Sequence, residues 1–125
     1  MRILAISDER DDALTAARCS EIRPDLVVSC GDLEPAYVDF VASAANSTVV
    51  FVPGDHDSDL RRDPRPLLPA PVSFEDMWGS YDGPRDDRLP GIDVDGRIIS
   101  VKGVTIAGLG GSFRHREGPN QYTER

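Results

Sequence analysis

Three short, continuous apolar runs that each stop at an acidic residue constrain this chain more than any other feature. Residues 2–7 (Arg-Ile-Leu-Ala-Ile-Ser) stop at Asp8, residues 25–30 (Asp-Leu-Val-Val-Ser-Cys) at Gly31 and Asp32, and residues 48–52 (Thr-Val-Val-Phe-Val) at Pro53, Gly54 and Asp55. Unbroken apolar character, as opposed to strict alternation, is the pattern of strands buried on both faces, and such strands belong to parallel sheets covered by helices. Between the runs lie two helical stretches. Residues 12–21 carry Ala13, Leu14, Ala17 and Arg18 at helical spacing. In the second stretch Pro35, at a first-turn position, leads into a stripe of Tyr37, Phe40, Val41 and Ala44 that Asn46 closes. The order strand, helix, strand, helix, strand predicts an α/β fold with right-handed crossovers in one parallel sheet.

Past Asp57 the pattern changes. Residues 58–91 hold six of the chain's ten prolines, with Arg and Asp interspersed and one apolar patch around Phe74, Met77 and Trp78. This predicts a long surface excursion containing one helical turn near residues 74–78. Regularity returns at the turn signal Asp95-Gly96, and residues 97–101 and 104–109 flank Lys102-Gly103 as the arms of a β-hairpin. A chain of 125 residues suits a single domain, 1–125.

With 14 Lys and Arg against 22 Asp and Glu, the net charge of −8 disfavours nucleic-acid backbones and anionic membranes as general partners. No window approaches the length of apolar sequence that a transmembrane helix needs. The first residues enter a strand at once and do not read as an export signal, so the expected location is cytoplasmic. Cys19 and Cys30 then read as small buried hydrophobes, neither a disulfide nor a zinc-binding pair.

In open α/β sheets ligands sit beyond the carboxyl ends of the strands, so residues that directly follow strands converge in space. Here Asp8 and Glu9 follow the first strand, Asp32 and Glu34 the second, and Asp55, His56 and Asp57 the third. Like charges brought together at one rim repel unless a cation lies between them, and a hard divalent ion suits carboxylate oxygens. Each acid also has a plainer reading: Asp8 as a helix cap, Asp32 as a turn residue, and Asp55 and Asp57 as a solvated turn.

Asp8, Gly31-Asp32 and Gly54-Asp55-His56-Asp57 resemble the D-x-H, G-D and G-N-H-D/E motifs of the calcineurin-like metallophosphoesterases. The stretches 106–114 and 118–124 resemble a bacterial branch of that superfamily. The resemblance implies a two-sheet sandwich flanked by helices, with the hairpin near Lys102 in the second sheet. It also implies two divalent ions (Mn, Mg, Fe or Zn) and a small phosphate-ester substrate. Asp8 would hold the first metal, Asp32 would bridge both, Asp55 would serve the second, His56 would act as general acid or oxyanion donor, and Asp57 would support His56. Two cations about 3.5 to 4 Å apart neutralise a phosphate ester and lower the pKa of a bridging water.

The chain departs from the pattern at three places. Arg10 stands where D-x-H has histidine, Asp55 stands where Asn is usual, and the later histidine motifs are absent, the remaining histidine being His115 in an expected exposed loop. These departures predict a truncated N-terminal portion of the family domain, with an open sheet edge that favours self-association and a site incompetent on its own. They also leave open a non-catalytic metal-binding module. A receiver-like signalling domain shares the acids but requires a lysine at the end of a fifth strand, whereas Lys102, the only lysine, falls in the hairpin turn.

Overall fold

The structure is a computed structural model, and it describes residues 1–57 and 91–123. The expected surface excursion at 58–91 and its helical turn fall almost wholly outside the described residues. Four parallel strands form the main sheet in the order β1 (Ile3–Ile6), β2 (Leu26–Ser29), β3 (Thr48–Phe51) and β4 (Ile92–Asp93). The helices α1 (Ala16–Ile22) and α2 (Pro35–Ala45) make the first two crossovers. Register runs Ile3 to Leu26 to Thr48 across the first three strands, so their carboxyl ends finish level.

Alternation along the strands sorts side chains onto two faces. Val27, Val49 and Phe51 meet Leu14, Cys19, Tyr37, Val38 and Val41 in a core beneath the helices, with Leu4 and Ile6 packed against it. Leu26 and Val50, joined by Val94, face the other way, and Ile99, Val101 and Ile106 of the hairpin pack on that side. The hairpin consists of β5 (Ile98–Val101) and β6 (Val104–Ala107), joined by Lys102 and Gly103 at φ 49° and 80°. Positive φ at both central residues is the turn that matches strand twist. The result is an α/β arrangement with helices on one face of a parallel sheet and a two-stranded hairpin on the other. Two further two-residue strands, β7 (Ser112–Phe113) and β8 (Gln121–Tyr122), pair in parallel beyond the hairpin.

Several expectations are corrected by local chemistry. α1 begins at Ala16, not residue 12, because the Asp11 carboxylate accepts from Ala13 N at 2.9 Å and the Asp11 carbonyl from Leu14 N at 3.0 Å. That turn competes with helix, and Thr15 caps the helix instead, its Oγ1 accepting from Arg18 N at 3.2 Å. On α2 the buried stripe is Tyr37, Val38 and Val41, while Phe40 is 40% exposed and stacks on Tyr37 with ring centroids 6.4 Å apart. β1 is an edge strand among the described residues and leaves Ile3 half exposed, so burial on both faces holds for β2 and β3 but not for β1. Cys19 is fully buried, but Cys30 is exposed, because it lies one residue past the end of β2. Burial pushes the Cys19 thiol pKa up.

Lys102 reaches from the hairpin turn to the Asp25 carbonyl at 2.6 Å, at the amino end of β2. It therefore stands at the opposite end of the sheet from Asp8, Asp32 and Asp55, where a receiver's lysine has no use. Among the described residues no helix is long and apolar enough to cross a membrane.

Candidate metal centre

The three strand-end loops interlock through backbone contacts before any side chain is considered. Asp8 N donates to the Gly31 carbonyl at 3.1 Å, tying the first loop to the second. Gly31, at φ 95°, passes so close to Pro53 and Gly54 that a Cβ there would collide with backbone, and a Cβ on Gly54 would strike Asp32. Glycine at both positions lets the second and third loops touch. Asp8 and Asp32 themselves adopt left-handed backbone, φ 61° and 59°, which short polar side chains tolerate better than most.

Asp57 then fastens the second loop to the third. Its Oδ2 accepts from Gly54 N at 2.7 Å and from Asp32 N at 3.1 Å. Asp32 returns the contact, its Oδ1 accepting from His56 N at 2.8 Å. This places the His56 ring between two carboxylates, with Nδ1 3.3 Å from Asp32 Oδ2 and 3.6 Å from Asp55 Oδ1. The carboxylates are mostly buried, with side chains 18% and 12% exposed, while the imidazole is 63% exposed.

Asp32, Asp55 and His56 each offer one ligand atom, and these atoms lie within 4.8 Å of one another. Two oxygens and a nitrogen at that spacing suit a divalent ion. Two of the three residues expected from sequence to bind metal are thus brought together, and His56, expected as a proton donor, joins them. Asp8 lies outside this group. It accepts from its neighbour Ser7 through Oδ2 and lines an adjoining cleft with Arg10, Asp32, Leu33, Glu34 and Tyr37.

The segment after β6 contributes contacts that the sequence did not announce. Arg116 Nη2 donates to the Asp55 carbonyl at 2.8 Å and stands 3.4 Å from Asp55 Oδ2. His115 is exposed, as expected of a loop residue, but its Nε2 lies 3.5 Å from the same oxygen. Asn120 Nδ2 donates to the Gly54 carbonyl at 3.1 Å and the Asp57 carbonyl at 3.3 Å, and Gly111 N donates to the Pro53 carbonyl at 2.8 Å. The one signal in the sequence was the cationic run Arg114-His115-Arg116 in an acidic chain. Asp95, the expected turn residue, is buried and accepts from Gly110 N at 3.0 Å, fixing the start of this segment.

An α/β sheet whose carboxyl-end loops gather two carboxylates around an imidazole has a group that could hold a metal ion. The family model described as calcineurin-like phosphoesterase matches residues 1–123, and the chain belongs to that family. At the family level this is a metal-dependent phosphoesterase, which implies divalent ions and small phosphate-ester substrates. Searches of curated proteins and of solved structures gave no match.

Proposed function

We propose that the chain is a metal-dependent phosphoesterase domain that hydrolyses a phosphomonoester or phosphodiester at the carboxyl end of its parallel sheet. The observation that carries this reading is the convergence of Asp32, Asp55 and His56 ligand atoms within 4.8 Å. Asp32 and Asp55 supply the negative charge that holds the ion, and Asp8 extends the acidic rim toward the adjoining cleft. When bound, a divalent ion supplies Lewis-acid charge that neutralises phosphoryl oxygens and makes water acidic enough to act as nucleophile near neutral pH.

His56 has a second ring nitrogen besides the Nδ1 that faces the carboxylates. With Nδ1 in the ligand group and the imidazole largely exposed, Nε2–H is the atom suited to donate a hydrogen bond to the oxyanion that develops on the ester. Asp57 acts at one remove, keeping the second and third loops in register through Asp32 N and Gly54 N. The test is hydrolysis of an aryl phosphate and of an aryl phosphodiester with Mn²⁺ or Mg²⁺ added back to metal-stripped protein. Turnover that requires the ion and is lost in Asp32→Asn supports the reading.

A non-catalytic metal-binding module is the second reading, and Arg10 favours it because a guanidinium beside Asp8 offers no ligand atom. Ion binding without turnover of either ester would select it.

A further inference from the structure

The cleft beside the candidate metal centre is about 380 Å³ and is lined by Asp8, Arg10, Asp32, Leu33, Glu34 and Tyr37. Asp32 is shared between this cleft and the ion-binding group, so whatever occupies the cleft lies next to the ion. Arg10 is not a loose surface cation here. Its guanidinium carbon lies 5.7 Å from the centroid of the Tyr37 ring. Tyr37 is only 6% exposed on α2, and its hydroxyl is held by Asp11, accepting from Asp11 N at 3.2 Å and donating to the Asp11 carbonyl at 3.4 Å. The ring is therefore a fixed platform, and a guanidinium drawn over such a face loses less freedom when it binds a ligand. Arg10 Nε is 3.1 Å from Asp12 Oδ1, a pair exposed on both sides, which orients the fork without burying it.

From these contacts we infer that the site works with one divalent ion, and that Arg10 takes the place of a second by binding phosphoryl oxygens in the cleft. The inference rests on the phosphoesterase reading and specifies its site. A guanidinium has five donors and no acceptor, so Arg10 gives a cation no ligand and repels it across the cleft it shares with Asp8 and Asp32. The same fork matches two oxygens of a phosphate bidentately. Asp8 and Glu34 on the cleft wall make the cleft acidic and bias it against anions that lack the ion's help. Phosphate binding is accordingly expected to need both the ion and Arg10.

The experiment measures bound Mn²⁺ per chain at saturation by metal analysis, and inorganic phosphate binding to the Mn²⁺-loaded chain by calorimetry, in the wild type, Arg10→Ala and Arg10→His. The Arg10 side chain is 71% exposed, so neither substitution removes core packing, and circular dichroism confirms the fold of each. One ion per wild-type chain, two in Arg10→His, and phosphate affinity lower by about tenfold or more in Arg10→Ala are the expected results, the last being the loss of one charge-assisted contact. Two ions in the wild type would overturn the inference and leave the phosphoesterase reading standing. An unchanged count in Arg10→His, or undiminished phosphate binding in Arg10→Ala, would likewise overturn it. Absence of any Mn²⁺ binding would remove the phosphoesterase reading itself, and this inference with it.

Discussion

Replacing Asp57 by alanine removes one carboxylate oxygen on which two backbone donors depend, Gly54 N at 2.7 Å and Asp32 N at 3.1 Å. An orphaned buried donor costs about 1–3 kcal/mol, and because this rim is only partly buried the lower part of that range applies, giving about 2–3 kcal/mol for the pair. Against the roughly 5–15 kcal/mol that holds a domain of this size together, that is a large loss. In urea, with a slope of about 1–3 kcal/mol per M, the midpoint should fall by about 1 M. The measurement is made in chelator, so that loss of an ion cannot account for the change. Asp57→Asn keeps an oxygen acceptor in the same place and should recover at least half of the difference. Coincident urea midpoints for the wild type and Asp57→Ala would refute the view that Asp57 braces the loops.

Val38 is fully buried while Phe40 is 40% exposed, so Val38→Ala should cost about 2 kcal/mol and Phe40→Ala less, despite deleting the larger side chain. Parallel denaturation curves check this, and the reverse order would contradict the packing of α2. Cys19 is buried with its thiol pKa raised, whereas Cys30 is exposed, so a thiol reagent should modify Cys30 in the native state and reach Cys19 only on unfolding. Equal rates at both cysteines, read by mass spectrometry of peptides, would count against the α1 docking. Ile98, Leu109 and Phe113 are all at least 74% exposed, which should promote self-association at high concentration. Sedimentation velocity should show it weakened by Phe113→Ser, and a monomer at every concentration would refute it.

The parts of the fold that were legible in sequence are those where local pattern and tertiary burial agree. Val27 and Val49 sit in apolar runs long enough to declare a strand, Pro35 and Asn46 mark helix ends by their backbone preferences, and Lys102-Gly103 adopts the positive φ values that its hairpin needs. The misses have physical causes as well. β4, β7 and β8 have two residues each, too few for a period to appear. The start of α1 was decided by the Asp11 turn, which competes with helix at equal hydrophobicity. Phe40 reads as core by its spacing, yet the face of α2 that is buried carries Tyr37, Val38 and Val41.

At the candidate site the acids were legible because each follows a strand end, a position that topology alone makes convergent. What could not be read was orientation. His56 donates its backbone N–H to Asp32 and so turns Nδ1 back between the carboxylates. Asp57 faces two loops, and Arg116 returns from 61 residues away to reach Asp55, a contact that no local pattern encodes.

The central claim is that Asp32, Asp55 and His56 form a site for a divalent ion, and the most direct test is thermal unfolding of metal-stripped protein titrated with Mn²⁺ or Mg²⁺. An ion that binds only the folded chain stabilises it by about 2.7 kcal/mol when present at about one hundred times its Kd, so the midpoint should climb with metal concentration. Asp32→Asn removes a charge and a ligand oxygen from the group and should abolish most of that rise. If wild type and Asp32→Asn respond identically to the metal, the carboxylates are turn residues and the metal centre does not exist.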